Sequence, residues 1–222
     1  MATPQQHGAG KTGRVIGVNP LRYARLSEPE LHEIFLDIVT NTPFIRKSLR
    51  RAQELALPDW RMVSGALYNV VWNHLTGRPD THGVKDMDLF YFDSDTSWKA
   101  EDAVIRNATG FTRTPPVEIR NQARVHLWYK QHFGQEIPPF STVEQAIDVF
   151  ASKTHCVGLR LDDDKPDLYA PYGLRDIFAL RVVPNPIRDN RATHETKSKR
   201  ALACWPELTV LPWPTEYQSI TG

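Results

Sequence analysis

Cysteine is nearly absent from this chain: Cys156 and Cys204 are the two it contains, far apart and in no Cys-x-x-Cys pair. Neither a disulfide framework nor a cysteine-based zinc site is suggested. The eight histidines show no His-Glu-x-x-His spacing, so zinc chemistry is unsupported from that side too. No apolar run approaches the roughly 18 residues a membrane span needs, and the opening MATPQQHGAGKTGRVIG lacks the apolar centre of a signal peptide. Neither sign of charge predominates: the net charge is +1, so bulk electrostatics give no support for a nucleic-acid partner and any basic patch is local. These absences predict a cytoplasmic protein with reduced thiols and no membrane association.

What is present is an ordinary globular composition, 41% hydrophobic and 24% charged over 222 residues. A chain of this length buries roughly 70% of its unfolded surface, enough for a full core. Residues 1–26 are polar and Gly-rich and read as a flexible tail. GAGKTG within them does not complete a phosphate loop, because Gln5 stands where the pattern wants its first glycine and no strand precedes it. SEPELHEIFLDIVTN reads as a helix with Ser27 as cap, Glu30 completing a capping box, and Leu31, Ile34, Phe35 and Ile38 at helical spacing. TPFIRKSLRRAQEL repeats the design, with Thr42 as cap and Pro43 in the first turn. Then come a short strand (WRMVSG), a helix closed by Gly77, a strand (KDMDLFYFD), a helix ending near Gly110, a strand from Pro116 turning helical after Asn121, and a capped helix from Ser141. HCVGLRLDDDKPDLYAP gives two strands joined by a charged turn, and ETKSKRALACW a terminal helix. The order predicts an α+β (α/β-like) domain over residues 27–185, a small mixed β-sheet flanked by helices, with residues 186–222 as a C-terminal extension.

Two stretches carry chemistry. On a strand, residues two apart face one side, so Asp86 and Asp88 of KDMDLFYFD point together, followed by Phe90 and Phe92, while Met87, Leu89 and Tyr91 line the other face. Paired carboxylates beside an apolar surface repel each other and lose hydration. A divalent cation relieves both, and magnesium favours one or two carboxylates supplemented by phosphate oxygens. A solvated strand end is the alternative. Upstream, Ser64-Gly65 opens a helix whose N-terminus presents unpaired N–H groups to an anion. Gly65 permits close backbone approach and Ser64 offers a hydroxyl. A plain helix cap is the alternative there.

A short strand, a Ser-Gly step opening a helix, and apolar-Asp-x-Asp on the next strand resemble the nucleotidyltransferase superfamily, the DNA polymerase beta-like fold. SGALYNVVWNHLTG, DMDLFYFD, VEIRNQARVHLWY and APYGLRDIF together are similar to a bacterial family of predicted nucleotidyltransferases, over roughly residues 28–185. The resemblance implies a nucleotidyltransferase fold and an enzyme that moves a nucleoside monophosphate from an NTP to a hydroxyl-bearing acceptor, releasing pyrophosphate. It implies Mg2+ (or Mn2+) held by Asp86, Asp88 and a third acidic residue, for which Glu118 is the best positional match. Glu118 departs from the superfamily's usual aspartate, and Asp93 and Glu101 compete with it. The Ser64-Gly65 turn would grip phosphates and Arg124 could hold a triphosphate bidentately. Trp128 could support a base, or lie in the core. A non-catalytic nucleotide- or RNA-binding module on the same fold is the alternative, with RKSLRR (46–51) and KSKR (197–200) as phosphate contacts or simply solvated helix charges. The acceptor and the nucleobase stay open.

Overall fold

The computed structural model describes residues 22–134 and 136–215. The expected tail therefore lies outside the described residues up to position 21. From Arg22 onward the chain is packed: Tyr23 is buried, its ring 5.0 Å from that of Phe178.

Helices α1 (Glu28–Asn41) and α2 (Pro43–Glu54) form where apolar residues recur at helical spacing, burying Leu31, Phe35 and Val39, and then Phe44, Ile45, Leu49 and Ala52. The Glu30 carboxylate accepts from the Ser27 N–H at 2.8 Å, the reciprocal half of the capping box, and also from the Ser27 hydroxyl at 2.7 Å. Thr42 differs: its hydroxyl donates back to the Ile38 carbonyl (2.9 Å) instead of capping α2.

Strand β1 (Arg61–Val63) leads into α3 (Gly65–Thr76), which ends at a left-handed Gly77. Strand β2 (Met87–Tyr91), helix α4 (Trp98–Asn107), strand β3 (Val117–Asn121) and helix α5 (Val125–Phe133) follow. Helix α6 is Val143–Asp148, strands β4 and β5 are Gly158–Asp162 and Lys165–Tyr169, and α7 is Arg175–Phe178. The β4–β5 turn uses Asp163 and Asp164 at φ of 46° and 63°, the left-handed pair that a two-residue hairpin requires. Strand β6 (Arg181–Val182), helix α8 (Arg191–Cys204) and strand β7 (Thr209–Val210) complete the chain.

The main sheet has the order β3-β2-β1-β4-β5. β2 and β3 run parallel and the other pairs are antiparallel, which makes the sheet mixed. Along β2 the alternation is strict: Met87, Leu89 and Tyr91 are almost fully buried, while Asp88 and Phe90 are half-buried on the other side. The first face meets α1, α2 and α3 in the main core. On the second face, α6 covers β1 and β4 around Val63, Val143, Ile147 and Cys156. There the buried Arg61 guanidinium ties Glu144 (2.7 Å) to Asp167 (3.1 Å). No described helix is long and apolar enough to cross a membrane.

Residues beyond 185, the expected extension, contribute to the core. Ala201 and Trp205 belong to the main core, and β7 pairs with β6. The Trp205 indole donates to Asn73 Oδ1 (2.9 Å) and meets the Trp72 ring edge-on at 5.2 Å. Its far edge packs on Gly83, where φ is +68° and an added Cβ would lie 2.8 Å from Trp205 Cζ2. Gly83→Ala combines left-handed strain with overpacking, each costing about 1–2 kcal/mol. Urea denaturation of this variant should show a loss of about 3 kcal/mol; a loss under about 0.5 kcal/mol, the scale of an unremarkable surface change, would mean that the α8 end is loosely docked.

Candidate active site

The pairing of β1 with β2 builds the site. Val63 is opposite Asp88, so the chain leaving β1 through Ser64 and Gly65 turns directly beside Asp88 and Asp86. On the other flank Glu118 of β3 is in register with Asp88. One cavity, with about 80 Å³ of space for water-sized occupants, is lined by Ser64, Gly65, Asp86, Asp88, Lys197 and Arg200, among others. The sequence-predicted Ser-Gly step and the aspartate pair therefore share a wall.

Ser64 adopts φ 57°, ψ −119°, a conformation L-residues rarely take, and its N–H donates to the Val157 carbonyl (2.9 Å). Its side chain makes no cap bond to α3, so the plain-cap reading does not describe it. Gly65 is not in a left-handed conformation, and an added Cβ would meet nothing nearer than Asn69 Nδ2 at 3.8 Å. Neither backbone strain nor packing demands glycine there; its missing side chain leaves the cavity wall open.

The Asp88 carboxyl is pushed up to about 6 by burial first, then by Asp86 and Glu118, with Lys197 and Arg120 opposing. Asp86 has the Lys85 ammonium 3.6 Å away. Glu118 turns its carboxylate to Arg120 at 3.3 Å, and both side chains are about half exposed. Among the described residues, no three His, Cys, Asp or Glu side chains already converge as a metal cage. An exposed pair such as Glu118–Arg120 is worth about 0–1 kcal/mol, too little to fix Glu118 in that rotamer.

Arg124 lies apart from this cavity. Its guanidinium is engaged by the Glu101 carboxylate and by the Thr96 carbonyl (2.9 Å), and it lines neither this cavity nor its neighbour. Glu101 Oε1 also accepts from the Asn121 N–H (2.8 Å), so this ion pair braces α4 against the end of β3. Glu101 is thereby occupied as well, and Asp93 sits at the far end of β2 beside Asn121. Of the basic clusters, Arg51 of the first binds the Thr109 carbonyl and Glu54. The second reaches the cavity: Lys197, Arg200, Ala201 and Cys204 fall one turn apart on the face of α8 that lines it.

A nucleotidyltransferase family model matches residues 50–210. The chain belongs to this nucleotidyltransferase family. The matched span takes in every strand of the main sheet and all of α8. The fold is also that of a solved NMR structure described as revealing a CCA-adding enzyme head domain, with a TM-score of 0.66 and 23% identity, covering 86% of this chain and 100% of that one. No curated protein matches the chain significantly. Nucleotidyl transfer is thus the general chemistry of the family, carried on a fold that places Asp88 and Glu118 side by side.

Proposed function

We propose that this nucleotidyltransferase transfers a nucleoside monophosphate from an NTP to a hydroxyl-bearing acceptor with magnesium (or manganese) as the cofactor. The observation that supports it most is the shared wall of Ser64, Gly65, Asp86 and Asp88, faced by Lys197 and Arg200. The donor set suits magnesium, since Asp86 and Asp88 supply two hard oxygen donors and Asp88 is a desolvated carboxyl that a cation would stabilise in its charged form. Glu118, in register beside Asp88, is the third donor in this reading. When bound, magnesium supplies charge neutralisation for the triphosphate and for the departing pyrophosphate.

The protein's own groups divide the remaining work. The N–H groups opening α3 and the Ser64 hydroxyl bind the β- and γ-phosphates. Lys197 and Arg200 close over them from α8 and take up charge as pyrophosphate leaves. The Glu118 carboxylate accepts the acceptor hydroxyl proton, and the acceptor oxygen forms its bond to the α-phosphorus as the bond to pyrophosphate breaks. Arg124 has no part in this scheme.

The open wall at Gly65 gives a direct test. Gly65→Ala puts a methyl group where phosphates would approach, at a helix start where alanine costs the fold nothing. Calorimetry with magnesium and the four ribonucleoside triphosphates should show affinity reduced by about tenfold, equivalent to about 1.4 kcal/mol, with thermal stability maintained. Undiminished binding would remove the Ser64-Gly65 turn from the phosphate site. Pyrophosphate release separates the enzyme from the binding-module alternative: binding without release for any acceptor would favour the latter.

A further inference from the structure

A second cavity, of about 280 Å³, opens on the same sheet face immediately beyond the carboxylates. Asp88 and Lys197 line both cavities, so the two adjoin there. The floor of the second is Phe90 and Arg120, cross-strand partners on β2 and β3, and its walls carry Trp128, Phe140 and Phe150. The Phe90 and Phe150 rings meet edge-on at 5.9 Å, and the Arg188 guanidinium lies 5.2 Å over the Phe140 ring. These rings are half-buried, although α6 covers the adjoining strands completely enough to bury Val63 and Ile147. A mostly apolar concavity edged by a few cations is the usual form of a small-molecule site.

The chemistry of displacement indicates what belongs there. In-line attack requires the incoming oxygen to approach the α-phosphorus opposite the departing pyrophosphate. With the phosphates at Ser64-Gly65 and the carboxylates in the middle, the opposite side is reached along β2 from Asp88 towards Phe90, one strand repeat of about 7 Å. We infer that the second cavity is the acceptor site, and that the acceptor is a small hydroxyl-bearing molecule with a planar apolar body and an anionic group. Phe90, Phe150 and Trp128 receive the ring, while Arg120 and Arg188 receive the anion. The hydroxyl is directed to Asp88 and Glu118. Its oxygen bonds to the α-phosphorus, its proton goes to the Glu118 carboxylate, and the electron pair of the broken bond leaves with pyrophosphate. This rests on the nucleotidyl-transfer reading, but the occupancy of the cavity can be tested apart from it.

The probe is 8-anilinonaphthalene-1-sulfonate, an aromatic anion, applied to the full chain. One equivalent should bind with enhanced emission. Thr193→Trp, on the half-exposed α8 position that lines this cavity but not the first, should weaken it at least about tenfold by filling the space, and Phe140→Ala by about threefold. Binding of the magnesium–triphosphate complexes should be unchanged in both variants, and the probe should inhibit pyrophosphate release in competition with acceptor, not with NTP. Equal probe binding by wild type and both variants would overturn the assignment. So would loss of triphosphate binding in Thr193→Trp in parallel with loss of the probe, because the cavity would then hold the nucleoside. Probe binding that follows the variants in a protein that binds no magnesium–triphosphate would instead overturn the proposed function while leaving an aromatic-anion site in place.

Discussion

Asp88→Asn is expected to lower pyrophosphate release by roughly 1,000-fold, the upper scale for losing a preorganised electrostatic group, while making the nucleotide-free protein more stable. Both effects have one origin. Asp88 is held between β1 and β3 with Asp86 and Glu118 nearby, in surroundings that penalise its charge. A carboxyl whose value rises on folding from 3.8 to about 6 binds its proton more tightly in the native state. The native state is therefore favoured at low pH, and that advantage is lost as the pH climbs from the unfolded value to the folded one. At neutral pH the full cost remains, on the order of 3 kcal/mol for a rise of about two units at about 1.4 kcal/mol per unit. Asparagine carries no charge to desolvate. In chelator-treated protein, urea midpoints of Asp88→Asn and wild type should nearly coincide at pH 4 and diverge in favour of the variant above pH 6. A variant no more stable than wild type at pH 7 would mean that Asp88 has a compensating partner.

Glu118→Gln should reduce turnover by about 100-fold or more, the scale of a lost general acid or base, yet leave magnesium–triphosphate binding largely intact. The separation follows from placement: Glu118 is on β3 beside Asp88 but does not line the cavity formed by Ser64, Gly65, Lys197 and Arg200. The Arg120 pair it would lose is half-exposed and contributes little to stability. Glu118→Asp keeps the charge on a shorter arm and should retain partial activity at most. Full activity in Glu118→Gln would transfer the third-carboxylate role to another residue.

Local patterns made much of this readable in the sequence. The alternation of Met87, Leu89 and Tyr91 against Asp88 and Phe90 decided which face of β2 is buried, and the structure follows it. The charged turn at Asp163–Asp164 and the passage from strand to helix after Asn121 were equally legible, because each depends on neighbouring residues. Helix α8 was not. Its buried positions are His194, Ser198 and Ala201, so a face that packs inward carries no apolar stripe, and KSKR looked like solvated charge. The spacing of Lys197 and Arg200 was a signal, but only packing through Trp205 turns that face towards Asp86. The placement of Arg124 was hidden for another reason: its partner Glu101 comes from α4, 23 residues upstream. The aromatic cavity draws on β2, α5, the segment before α6 and the chain after it, and no window of sequence contains it.

The central claim is that the Asp86–Asp88 face moves a nucleotidyl group. The most direct test is to incubate the protein with α-phosphate-labelled NTPs, magnesium and fractionated small-molecule extract, and to follow the label. The account predicts label covalently joined to an extract component, released pyrophosphate in equal amount, and neither product above background with Asp88→Asn. Label transfer that proceeds equally in Asp88→Asn, or pyrophosphate formed without any labelled acceptor product, would contradict it.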